Sequence, residues 1–152
     1  MRTLLISCLV MLTAGCGGFG NSRSSTFVAI PVPDDVRFVI YTLETASGRR
    51  TWRLNNDNLQ IRLTTNARNG QLIGSQTKKL KPNDYNWVVY NLEQSNFTKV
   101  KSVNGPRNSQ GNETLTVITQ AKSYSFIQNH TIRFPNGFQK VVNVIPGFVN
   151  SR

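Results

Sequence analysis

Alternating apolar and polar runs, punctuated by turn-forming residues, predict an α+β fold: an antiparallel sheet covered by one main helix, with a short second helix near the C-terminus. Three observations carry that expectation. Strand-like runs before residue 80 are joined by short polar or Asn-Gly connections that suit hairpins. One regular helical stripe follows at Tyr85, Val88, Val89 and Leu92, and further strand-like runs come after it.

The folded part is expected to begin near Asp34. From there Val36, Phe38 and Ile40 alternate with Arg37, Val39 and Tyr41 in the period of a strand. Arg50 to Leu54 and Leu59 to Thr65 repeat that signal, the second with Leu59, Ile61 and Leu63 on one face and Gln60, Arg62 and Thr64 on the other. The polar run Asn55-Asn56-Asp57-Asn58 is their expected turn. Asn69-Gly70 then separates the third strand from Gln71 to Thr77, because this pair readily adopts the positive φ angles of a tight turn.

Pro82 suits the first position of the main helix, since its missing N–H would have no partner there, and Asp84 favours the positive helix N-terminus. Trp87 and Tyr90 lie off the apolar stripe and are expected to widen its packed face. Residues 101–112 read as a polar loop, followed by strands at Thr114 to Gln120, Tyr124 to Gln128 and Thr131 to Phe134. Phe138, Val141, Val142 and Ile145, between Pro135 and Pro146, have helical spacing and predict the short second helix.

The N-terminus has a different character. Arg2 precedes Leu4-Leu5-Ile6-Ser7-Cys8-Leu9-Val10-Met11-Leu12, an apolar stretch too short to span a bilayer but suited to a secretory signal. It ends in Leu12-Thr13-Ala14-Gly15-Cys16, which resembles the lipobox of bacterial lipoproteins, with Thr13 where Leu is usual. The resemblance implies cleavage before Cys16 and acylation of that cysteine, so the membrane is an expected partner through the lipid. With Gly17 rather than Asp after the cysteine, it also implies sorting to the outer membrane of a two-membrane host, facing the periplasm. The chain therefore divides into a signal peptide at 1–15, a lipidated Gly-, Ser- and Pro-rich tether at 16–33, and a single domain at 34–152.

Cys8 leaves with the signal and Cys16 carries lipid, so no thiol pair is expected in the mature chain. Stability must then come from a core, and the 38% hydrophobic content is adequate for one domain. Eighteen Lys and Arg face seven Asp and Glu, and removal of Arg2 leaves seventeen basic residues. Arg49, Arg50 and Arg53, interleaved with Trp52, are the candidate anion-binding residues; Lys78-Lys79 with Lys81, and Lys99 with Lys101, form two further basic groups. Export makes nucleic acid an unexpected partner.

Catalysis is not expected. His130 is the single imidazole, no nucleophile motif surrounds a serine, and the seven acids are scattered: Asp34, Asp35, Glu44, Asp57, Asp84, Glu93 and Glu113. Neither a phosphate-cradling glycine loop nor metal-ligand spacing is present in the sequence, so no cofactor or metal is expected.

Val36 to Tyr41, the middle strand, the helix start Leu80-Lys81-Pro82-Asn83-Asp84, Asn96-Phe97 and Phe134-Pro135 follow a layout that resembles the emfourin-like proteins. These are small bacterial proteins named for an inhibitor of thermolysin-like metallopeptidases. The likeness covers roughly residues 36–145 and lies in the spacing of apolar residues. Ala46-Ser47-Gly48 stands where that family has a Gly-Gly turn, and no inhibitory residue carries over. The leading functional expectation is a lipid-anchored, non-catalytic envelope binding or accessory protein. The alternatives are an inhibitor of secreted or periplasmic metallopeptidases, with Asn104 to Gly111 or Asn66 to Gly70 as the presented loop, and a binder of anionic envelope ligands.

Overall fold

Those patterns resolve into six strands and two helices in the computed structural model, which describes residues 35–100, 111–129 and 132–150. The signal, the tether with Cys16, and His130 lie outside the described residues. The elements are β1 (Val36–Thr45), β2 (Gly48–Asn55), β3 (Gln60–Ala67), β4 (Leu72–Lys79), α1 (Pro82–Gln94), β5 (Asn112–Thr119), β6 (Ser123–Gln128) and α2 (Asn136–Asn150). All strands join one antiparallel sheet in the order β4-β3-β2-β1-β5-β6. The mixed α+β class expected from the alternation is the one observed.

Pairing aligns the apolar residues in rows across the strands. Ile61, Leu54, Val39, Val117 and Tyr124 form one row, and Leu63, Trp52, Tyr41, Leu115 and Phe126 the next. Tyr41 and Trp52 stack with ring centroids 5.2 Å apart. The buried stripes of both helices join these strand residues in one hydrophobic cluster, with Tyr85, Val88, Val89 and Leu92 from α1 and Phe138, Val141, Val142, Ile145 and Val149 from α2. The helices also pack on each other, and α2 reaches β3 and β4.

Local chemistry explains where the strands depart from simple alternation. In β1 a bulge falls between Val36 and Phe38 against β5, so Val36, Val39 and Tyr41 are buried while Phe38 and Ile40 turn to the opposite face. The β2–β3 turn extends through Leu59, which takes a φ of 48° and so precedes β3, while its side chain still packs against the core with Leu63. Of the Asn69-Gly70 pair only Gly70 has positive φ, at 85°; its N–H donates to the Ala67 carbonyl and the Ala67 N–H to that of Gln71, giving a three-residue turn. Gly48, with φ 151°, lies against the Asn66 carbonyl of β3, leaving no room for a Cβ.

The helices follow their sequence signals, with two corrections. α1 starts with Pro82 in its first turn and buries the expected stripe; Trp87 packs against the core but Tyr90 is 41% exposed. α2, expected to be short and to stop before Pro146, runs for 15 residues through that proline. Proline costs one backbone hydrogen bond, but Val149 continues the stripe of Val142 and Ile145 into the core, so burial offsets the loss. The strand expected at Thr131 to Phe134 does not form over its described part. The Ile132 N–H is taken by Asn129 Oδ1 and the Phe134 N–H by Gln128 Oε1, at 2.9 and 2.8 Å, so side chains replace a partner strand and Phe134 is buried as a plug before α2.

Candidate functional site

Turning one face of the sheet into a core leaves the other with a distinct chemistry. Its rows read Ile127, Thr114, Thr42, Thr51, Thr64 and Ser75; then Ser125, Thr116, Ile40, Arg53, Arg62 and Thr77; then Ser123, Ile118, Phe38, Asn55, Gln60 and Lys79. Hydroxyls, amides and guanidinium groups dominate on β2, β3 and β4, and Arg53 and Arg62 are exposed.

The three arginines singled out from the sequence are not brought together on one face. Arg49 forms an ion pair with Glu44 of β1. Arg50 projects from the opposite face, in register with Leu43 and Thr65. Arg53 instead joins Arg62, its register partner on β3, which sequence reasoning treated only as a polar strand position. Counting register outward from the β2–β3 turn was the signal able to pair them. Trp52 faces the core, stacked on Tyr41, and is not part of any arginine platform.

Each guanidinium of the new pair is positioned. Arg53 Cζ lies 4.1 Å from the centroid of the Phe38 ring, an attractive cation–π arrangement. Arg62 Nε donates to Ser75 Oγ at 3.0 Å. Together with Phe38, Asn55, Asn58, Gln60 and Thr77 they line a shallow depression of about 340 Å³. No carboxylate among the described residues lines it, whereas Glu44 lies in the hollow beside Arg49 and Arg68, and Glu113 in the one beside Arg133.

Internal hydrogen bonds then bias what the depression offers. Asn55 Oδ1 accepts the Asp57 N–H at 2.9 Å, and Gln60 Oε1 accepts from Asn58 Nδ2 at 3.2 Å. Two amide acceptors are thereby occupied, while the Asn55 and Gln60 amino groups remain to donate beside the guanidinium groups. The site is rich in donors and positive charge.

No family model matches the chain, and no curated protein is significantly similar to it. Its chemistry is therefore read from its own residues. The remaining ionisable groups fill structural places. Burial, then the hydrogen bond of 2.9 Å to Glu113 Oε2, pushes the Tyr41 phenol well above its usual range, so it stays a donor. Burial and, secondarily, Asp57 do the same to Tyr85, whose hydroxyl donates to the Val36 carbonyl at 3.1 Å. Among the described residues no three His, Cys, Asp or Glu side chains come together in a manner able to hold a metal, and no helix is long and apolar enough to cross a membrane.

Proposed function

We propose that the chain is an exported, lipid-anchored and non-catalytic envelope binding protein, tethered through acyl chains on Cys16 and held at the outer membrane facing the periplasm. The observation that supports binding is the asymmetry of the sheet: apolar side chains of one face share a hydrophobic cluster with α1 and α2, and the other face presents the donor-rich depression around Arg53 and Arg62. Its partner in this reading is an envelope component rather than nucleic acid. Replacement Cys16→Ser is expected to block lipid attachment and leave uncut or soluble protein. Fractionation of cells grown with labelled palmitate checks this, and label entering the Cys16→Ser protein would overturn it.

A second reading, inhibition of a secreted metallopeptidase, draws on the β3–β4 hairpin. Next to its tight turn Leu72 and Ile73 are 56% and 66% exposed, an aliphatic pair a protease cleft could receive. The other loop considered from the sequence, Asn104 to Gly111, lies outside the described residues except for Gly111. Incubating the protein with a thermolysin-like peptidase should then lower peptide turnover in a way that Leu72→Ser with Ile73→Ser abolishes; full peptidase activity at excess protein excludes this reading.

A further inference from the structure

We propose that the Arg53–Arg62 depression is a binding site for a phosphoryl group carried on a hydroxyl-rich headgroup. This deepens the binding function above and rests on it for the setting, though not for the chemistry. Arg53 and Arg62 are directly opposite in the β2–β3 ladder, where like charges normally cost stability. Elsewhere on the same face the chain shows how it settles such a charge, since Glu44 neutralises Arg49 across the β1–β2 ladder. At Arg53 and Arg62 the described residues supply no carboxylate, and both side chains are oriented, one on the Phe38 ring and one on Ser75.

The donor arrangement selects among anions. A carboxylate has two oxygens in a plane and is satisfied by a single guanidinium fork. Two forks on adjacent strands, flanked by the amino groups of Asn55 and Gln60, outnumber those oxygens but match the three terminal oxygens of a phosphate monoester. Thr77, opposite Arg62 on β4, adds a hydroxyl at the rim suited to a neighbouring sugar or glycerol hydroxyl.

The test uses the full chain in non-ionic detergent micelles, titrated with glucose 1-phosphate, with glucose, and with phosphatidylglycerol phosphate, whose terminal phosphate is a monoester, added to the micelles. Saturable binding of a phosphorylated probe and none of glucose is expected. Arg53→Gln with Arg62→Gln should weaken it at least tenfold, about 1.4 kcal/mol. Arg68→Gln with Lys140→Gln, which removes the same charge from exposed positions outside the depression, should change it less than about twofold, since surface charges act through a screened field. Binding of glucose 1-phosphate assigns a free sugar phosphate as the source; binding of phosphatidylglycerol phosphate alone, with the same arginine dependence, assigns a lipid headgroup. Thr77→Glu gives a second variant that keeps both arginines and fills the depression with its own carboxylate, and it too should abolish binding. Equal losses in the two double variants, or no binding of either phosphorylated probe, would overturn the site. Intact envelope fractionation with a failed titration removes the ligand alone, whereas lost fractionation with intact titration removes the envelope setting alone.

Discussion

Arg49 and Arg53 lie four residues apart on the same face of β2, yet one is paired with Glu44 and the other lies over the Phe38 ring. What separates them is the residue each meets across the ladder, Glu44 in one case and Ile40 in the other. A single acidic residue can also weigh against the fold. Glu93 sits half-buried in the last turn of α1, where no basic side chain offsets the negative helix end. Burial first, and the nearby Asp35 second, raise its pKa. The folded chain thus holds this proton more tightly than the unfolded chain. Stability attached to the proton is present below the ordinary carboxylate pKa and is lost as pH rises through the raised value. Glu93→Gln, which imitates the protonated group, is expected to melt like wild type in acid and slightly higher at pH 7, the effect being small because solvent screens a half-exposed group. Melting curves across pH check this, and a lower melting temperature at pH 7 would reverse the sign.

At the scale of the element, α1 offers the clearest contrast between two neighbouring positions. Leu92 is fully buried, whereas Tyr90 is 41% exposed. Leu92→Asp should therefore destabilise the domain by several kcal/mol, about 3 or more, by leaving an unpaired charge in the core. Tyr90→Asp should cost less than about 1 kcal/mol. Denaturant titrations of both variants measure the difference, and equal midpoints would mean the wrong face is buried. This stripe was legible from the spacing of Tyr85, Val88, Val89 and Leu92 because helix periodicity is a local property. The bulge at the start of β1 was not, because it depends on how β1 meets β5, far along the chain. The turn at Leu59 hides for another reason: its φ of 48° is uncommon for leucine, and only the packed structure requires it. Ile132 to Phe134 look like a strand until Gln128 and Asn129 supply their backbone partners from side chains.

On the scale of the whole molecule, the mixed α+β class was legible in the sequence, because it rests on contiguous alternating and helical patterns. The candidate site was only half visible. Arg53 stood out among clustered basic residues, while Arg62, Phe38 and Gln60 come from two other strands and meet it only through register. Alternation does predict that Arg53 and Trp52 point apart, as they do, but it cannot say which arginine an acidic neighbour will claim.

The position of α2 has a consequence in time. Strands β1 to β4 follow one another through short turns and can pair as soon as they are free to do so. Their apolar rows then wait for β5 to add along β1 and for Phe138 to Val149 to arrive, since these residues belong to the same cluster. Until residue 119 is available the chain presents an unpaired β1 edge, and until residue 149 is available an incompletely covered apolar face, both features that favour sticking to other chains. The interval between pairing of the first strands and docking of α2 is thus the vulnerable one, and a bound holdase would act there by shielding the rows that Phe138, Val142 and Ile145 later occupy.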